Sequence, residues 1–299
     1  MARSTAVAPV VLKFGGELLE DPQRVAALAA AIARLNRAKP PVPRVLVHGG
    51  GRENDAALAR AGMAKRQVDG LRITDEATLD TVISVLAGLV NTRLVAALVA
   101  AGVQAVGLTG ADAGIGRVRP AAPHQSTAGG TVDLGRVGEP VGKDTPALLV
   151  DLCRGGYVPV VCSIGASRDG QLFNVNADTL AAHLAARLRS PRLIIAGATA
   201  GVFDSRGETI PHMTFDEIAS SIAGGGSTAG MIAKLTACRA AIEGGARDVF
   251  IADGRDLAGL SVLVRHGLKA GAGKSTRISN GASVKRRHFT QLAAKRRGA

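Results

Sequence analysis

The sequence predicts an α/β protein: a mainly parallel central sheet with helices packed on it, in one unit or two lobes. A repeated unit carries this reading. Val10–Phe14 is a short apolar strand that runs into Gly15-Gly16, and Arg44–His48 is a second that runs into Gly49-Gly50-Gly51, each followed by a helical stretch. Strand, glycine turn and helix in that order mark a parallel sheet with helices packed on it. Composition agrees: 46% of the 299 residues are hydrophobic but only 2% aromatic, so Ala, Val and Leu must fill the core.

Taken in order, Asp21-Pro22 supplies an N-cap and a proline at the first helical position. Val25, Leu28, Ala29, Ile32 and Leu35 follow at helical spacing, and Lys39-Pro40 ends that helix. Further strands are expected at 104–108, 158–162, 193–196 and 248–252, and helices at 76–88, 91–101, 146–154, 178–188 and 231–244. The stretch 116–138, rich in Gly, Pro and Thr, reads as β-hairpins or a lid laid on the sheet. Asp169-Gly170 suits a hairpin turn between Ile164 and Phe173.

Cys153, Cys162 and Cys238 are too few and too scattered for a disulfide framework or a structural zinc site. Residues 1–9 lack the apolar core of a secretory signal, and apolar runs such as 94–101 fall short of the roughly 20 residues that span a bilayer. A cytoplasmic, soluble protein without a membrane partner is expected. The formal charge is +13, and Lys285, Arg286, Arg287, Lys295, Arg296 and Arg297 contribute six of those positives in a tail without acids. Such a tail is a solvated extension or a contact for an acidic partner; nucleic acid is the less favoured partner. The remaining excess suits a protein whose substrates are anions.

Four segments can carry chemistry. Lys13 lies inside an apolar strand beside Gly15 and Gly16, where a lysine either neutralises a bound anion or snorkels to water. The glycines after His48 form a nest of backbone donors at a helix start, a place for phosphate or carboxylate, and also an ordinary flexible turn. His48 itself reads as structural. In Asn174-Val175-Asn176-Ala177-Asp178, Asp178 is either the N-cap of the next helix or a carboxylate that orients substrate and lysines. Gly230-Met231-Ile232-Ala233-Lys234 places a lysine in a first helical turn, against the macrodipole, which an anion there would offset. Gly273-Lys274-Ser275 is not a P-loop, because its leading glycine would fall on Leu268.

The order of these segments, with Gly70-Leu71-Arg72-Ile73-Thr74, Gly107-Leu108-Thr109-Gly110, Gly135-Arg136-Val137-Gly138-Glu139 and Gly156-Tyr157-Val158-Pro159-Val160, resembles the N-acetylglutamate kinases of the amino acid kinase superfamily over roughly 11–267. The resemblance implies the amino acid kinase fold, a three-layer αβα sandwich with a mainly parallel central sheet in two lobes, and phosphoryl transfer from ATP to the γ-carboxylate of N-acetyl-L-glutamate in arginine biosynthesis. It implies that Lys13 and Lys234 neutralise the transferring group and that Asp178 orients them. Gly15, Gly16 and Gly50 would offer backbone donors to phosphates and substrate, with Gly51 on the substrate side. Arg72 would grip the substrate α-carboxylate, and Asn174 and Asn176 the acetylamino acid. Gly201 and Met231 fall on the nucleotide side. No protein metal site is implied; Mg²⁺ would arrive with ATP, held mainly by its phosphates. The lobes would be 10–175 for the amino acid and dimerisation and 176–284 for the nucleotide, between a disordered 1–9 and a basic tail at 285–299.

The sequence departs from that family at Gly197-Ala198, where Thr/Ser-Asp is usual, at Arg136, at Thr228-Ala229 and in the longer loop 271–277. Two other readings stay open: a kinase for a carrier-protein-bound glutamate or aminoadipate, and a non-catalytic basic binding protein on the same fold. Replacing either lysine is expected to leave folding nearly intact. With only twelve residues ahead of Lys13, a homodimer with little inhibition by arginine is expected rather than a ring built through an N-terminal helix.

Overall fold

The computed structural model describes residues 8–126, 129–225, 228–267 and 274–281. Its centre is an eight-stranded sheet in the spatial order His212–Thr214, Ser275–Ser279, Asp248–Asp253, Arg192–Gly197, Val10–Phe14, Arg44–His48, Val158–Cys162 and Ala105–Thr109. Neighbours pair in parallel except Asp248–Asp253 with Ser275–Ser279, which run antiparallel. The tail at 285–299 and residues 271–273 of the 271–277 loop lie outside the described residues. Within that loop, Ser275 begins a strand that the polar sequence Ser-Thr-Arg did not reveal.

Strand alternation sorts the core into two faces. Val11, Val47, Val161, Ile195 and Ile251 face one side, with Leu180, Leu184, Leu235 and Cys238 from the helices Ala177–Arg187 and Ala229–Glu243. Leu12, Phe14, Leu46, Val160, Ile194 and Phe250 face the other, with Leu28, Ile32, Leu94 and Leu263 from the helices Pro22–Arg37, Asn91–Ala100 and Leu257–His266. Burial on both faces is why these strands read as continuous apolar runs. It also fixes Lys13: two residues beyond Val11, it must point toward the face covered by Ala177–Arg187.

The predicted helices at 76–88 and 91–101 are one. Glu76–Ile83 continues through a wider π-type stretch, Ser84–Val90, into Asn91–Ala100. Asp75 caps its start by accepting from the Thr78 amide. This corrects the expectation that apolar runs are all short: among the described residues, the helix 76–100 is long and apolar enough to cross a bilayer by length and composition. Leu79, Val82, Leu86, Leu94 and Leu98 from it are buried in the molecule. The 116–138 stretch forms two small antiparallel pairs, Val118–Pro120 with Gly138–Pro140 and His124–Gln125 with Thr131–Val132.

The two glycine turns touch. A methyl on Gly16 would lie 2.7 Å from the Gly51 nitrogen and 2.8 Å from Gly50 Cα, both rigid backbone. Gly16→Ala should therefore force the first two strand ends apart, lowering stability by about 1–3 kcal/mol in urea unfolding. An unchanged midpoint would mean that the turns part freely.

Candidate active site

Three elements meet on one buried carboxylate. Lys13 Nζ lies 2.8 Å from Asp178 Oδ1, and Lys234 Nζ lies 3.2 Å from Asp178 Oδ2. Asp178 and Lys13 are 4% and 5% exposed, while the Lys234 side chain keeps 22% of its surface open. Asp178 is free to do this because it is not the helix cap. Asn176 is, accepting from the amides of Asp178 (2.9 Å) and Thr179 (3.1 Å). Burial alone would raise the Asp178 carboxyl, but the charges of Lys13 and Lys234 outweigh it and hold the group below its ordinary value.

Lys234 is one turn deeper than the sequence implied. Thr228 caps the helix at Ala229, its hydroxyl 3.3 Å from the Met231 amide, so Lys234 sits in the second turn rather than the first. The macrodipole argument for an anion there is accordingly weak, and the position is explained by Asp178. Met231 has its amide in the cap, and its side chain packs on the core. Gly201, also placed on the nucleotide side, is buried with φ +101°, and a Cβ there would meet Thr276 Oγ1 at 2.5 Å. The local need for glycine at 201 is thus the close approach of the strand Ser275–Ser279.

The glycine turns differ in what they can offer. The Gly15 amide donates to Ala196 O at 3.0 Å and continues the sheet, which corrects its expected part as a free donor. Gly50 is the N-cap of the helix Gly51–Arg60 without a side-chain cap, so that helix start keeps first-turn amides, including that of Gly51, for an anion. Glu17 was missed from sequence. Its carboxylate folds back over Gly15, within 2.4 Å of where a Cβ would stand, and Oε1 accepts from the Ala198 amide at 3.2 Å. A carboxylate thus sits at Gly197-Ala198 although that segment carries none. The only sequence signal was a glutamate directly after two glycines.

Arg72 ends the small hairpin Gln67–Val68 with Leu71–Arg72. It is paired with Asp55 of the helix Gly51–Arg60, which Lys65 also grips at 2.7 Å. One Arg72 nitrogen, Nη1, is buried without a partner. Such an unpaired donor costs about 1–3 kcal/mol. The hairpin turn reaches the lysine-bearing helix: a Cβ on Gly70 would lie 3.3 Å from Ala229 Cβ. Asn174 donates to Thr74 Oγ1 at 3.2 Å, beside the hairpin's exit. Arg136 bonds Glu76 and Gln171 and lies over the Phe173 ring, tying these segments together. Among the described residues no group of three or more His, Cys, Asp or Glu could hold a metal ion.

A parallel sheet edge with capless helix amides and two lysines clasped by one carboxylate defines an enzyme class that handles anionic groups. The chain belongs to the amino acid kinase family, whose match extends over residues 8–253. It is 40% identical over 246 residues to an acetylglutamate kinase of Dinoroseobacter shibae, covering 82% of each chain. It is 39% identical to an acetylglutamate kinase of Symbiobacterium thermophilum, covering 82% of this chain and 84% of that one. Among solved structures, an N-acetylglutamate synthase of Neisseria gonorrhoeae with coenzyme A and N-acetyl-glutamate has a TM-score of 0.77 at 25% identity; the match covers 92% of this chain and 60% of that longer one. A Giardia carbamate kinase, at 15% identity and TM-score 0.63, shares the fold over 92% of this chain and 99% of its own.

His48, on the strand next to Lys13, is a structural residue. Its Nδ1 lies 3.0 Å from Gly49 O and so carries the proton, and Nε2 accepts from Asn91 Nδ2 at 3.0 Å. Burial lowers its pKa from 6.5 to about 4. The unfolded chain therefore takes up a proton first, so the contribution is full above about pH 6.5, falls as pH drops toward 4, and amounts to about 3 kcal/mol at most. Urea midpoints should fall between pH 7.5 and 4.5, and less steeply in His48→Asn. A slope equal in both proteins would remove His48 from the acid response.

Proposed function

We propose that this chain transfers the γ-phosphoryl group of ATP to the γ-carboxylate of N-acetyl-L-glutamate, the kinase step of arginine biosynthesis. The observation that carries it is the clasp of Lys13 and Lys234 on Asp178 at the glycine-lined edge of the sheet. A carboxylate nucleophile needs no general base. What it needs is neutralisation of the charge that spreads over the transferring oxygens, which two lysines held from opposite elements provide. Asp178 fixes both ammonium groups without taking a proton, consistent with a carboxyl held in its ionised form.

In this reading Arg72 grips the α-carboxylate, and Asn174 and Asn176 contact the acetylamino acid. The Asn176 carbonyl oxygen is committed to the cap, so its amide nitrogen is the group left for substrate. Gly50 and Gly51 present amides to the substrate, and Gly16 lies between the turns. Gly15, Gly201 and Met231 shape the nucleotide side more than they donate to it. The residues up to 175 then serve the amino acid and those from 176 the nucleotide. Mg²⁺ would be held mainly by the ATP phosphates. Cytoplasm is the compartment we assign, supported by three cysteines free of disulfides.

Lys13→Ala or Lys234→Ala should lower kcat by about two orders of magnitude or more. The expectation that folding would be untouched needs correction for Lys13. Removing a buried partner from Asp178 should also cost about 3–5 kcal/mol, visible in urea unfolding. Near wild-type turnover in either variant would exclude that lysine from the chemistry.

The assembly we propose is a homodimer through the helix 76–100 and the strand Ala105–Thr109. That strand ends the sheet with one side unpaired by any other strand of it, and Val99 on the helix is 54% exposed. Light scattering should give twice the chain mass, and Val99→Lys should shift it toward monomer. A monomeric wild type, or a hexamer, would refute the arrangement.

A further inference from the structure

We propose that Asp55 is a positioning residue: it sets the guanidinium plane of Arg72 for the incoming carboxylate, and Lys65 in turn holds Asp55. This rests on the reading of Arg72 as the substrate's carboxylate grip. Asp55 occupies the helix that starts at Gly51, so the same backbone that presents the amides of the glycine turn also carries the arginine's anchor. Both its oxygens are used, Oδ2 by Lys65 at 2.7 Å and Oδ1 by Arg72 Nη2. Arg72 is mostly buried, with a side-chain exposure of 11%. A guanidinium is planar, so fixing one terminal nitrogen fixes the direction of the other. That other nitrogen, Nη1, is buried and lacks an acceptor. An arginine half-satisfied by a fixed carboxylate, with its remaining donor unspent, is built to receive a second carboxylate.

The pair also explains why an acid is tolerated beside an anion site. Lys65 and Arg72 together exceed the single charge of Asp55, so the cluster stays attractive to an anion. The carboxyl is held below its ordinary value: partial burial would raise it, and its bonds to Lys65 and Arg72 outweigh that. Asp55 therefore stays ionised over the whole working pH range, and Arg72 keeps its anchor.

The test uses the full chain with Asp55→Ala, Asp55→Asn, Asp55→Glu and Lys65→Ala, beside Arg72→Lys as reference. We expect Asp55→Ala and Asp55→Asn to raise the KM for acetylglutamate about 10-fold, the scale of a misdirected charge-assisted bond. Turnover and the KM for ATP should stay within about two-fold of wild type. Asp55→Glu should recover part of the loss, and Lys65→Ala should give a smaller rise in the same constant. Asn keeps the size of Asp, so it carries the test should the alanine variant fail to fold. If Arg72→Lys raises the acetylglutamate KM while the Asp55 variants do not, the positioning role is wrong and the grip stands. If Arg72→Lys leaves that KM unchanged, the grip itself is wrong and Asp55 falls with it. A lower kcat with both KM values raised alike would mark Asp55 as merely structural and would also overturn the proposal.

Discussion

The burial of Asp178 is the constraint on which the site depends. An ionised carboxylate out of water costs several kcal/mol unless it is paired, and here the pairing comes from two elements far apart in sequence. Lys13 belongs to the first strand, and Lys234 to a helix that begins more than two hundred residues later. The triad therefore joins the strand, the helix Ala177–Arg187 and the helix Ala229–Glu243 at one point. Strand alternation brings Lys13 to the correct face, and the cap at Asn176 releases Asp178 from helix duty. Thr228, which starts its helix two residues early, sets the depth from which Lys234 reaches back. Each local feature is ordinary, and the clasp is their common product.

The glycines act mainly through absence. Gly16 lets the first two strand ends meet backbone to backbone, and Gly15 leaves room for the carboxylate of Glu17. These contacts bring the amides of the helix Gly51–Arg60 alongside the strand that carries Lys13. A side chain at Gly16 would push the start of the helix Gly51–Arg60 away from the strand that carries Lys13, whereas one at Gly15 would displace only the Glu17 carboxylate.

Much of this was legible from sequence because it rests on short-range rules. Apolar strands ending in glycine, Asp21-Pro22 as a helix start and the lysine displaced into an apolar strand are all local signals. What escaped depends on partners that only the fold supplies. The helix 76–100 was read as two because Gly88 and Asn91 look like a break; the π-type stretch absorbs them, and Asn91 turns inward to His48 and the Val160 carbonyl. The strand Ser275–Ser279 was missed because four of its five residues are polar and one of its two neighbours runs antiparallel to it. Asp55 had no signature and Glu17 only its place after two glycines: an acid after a glycine turn or within a helix reads as solvated until the basic or amide partner is placed beside it.

The charges at the site nearly cancel, and this assigns the work of binding. Lys13 and Lys234 against Asp178 leave one net positive charge, which the Glu17 carboxylate beside Gly197 opposes. Arg72 and Lys65 against Asp55 leave another. A large positive field would hold phosphate tightly before and after transfer alike, and such uniform binding does not speed the chemical step. With the lysines tethered to a buried carboxylate, their charge becomes fully available only to an anion close enough to share them. In the proposed reaction the helix amides at Gly51 and the directed donors of Arg72 would locate the ligands, while the clasp would respond to the charge that develops between them.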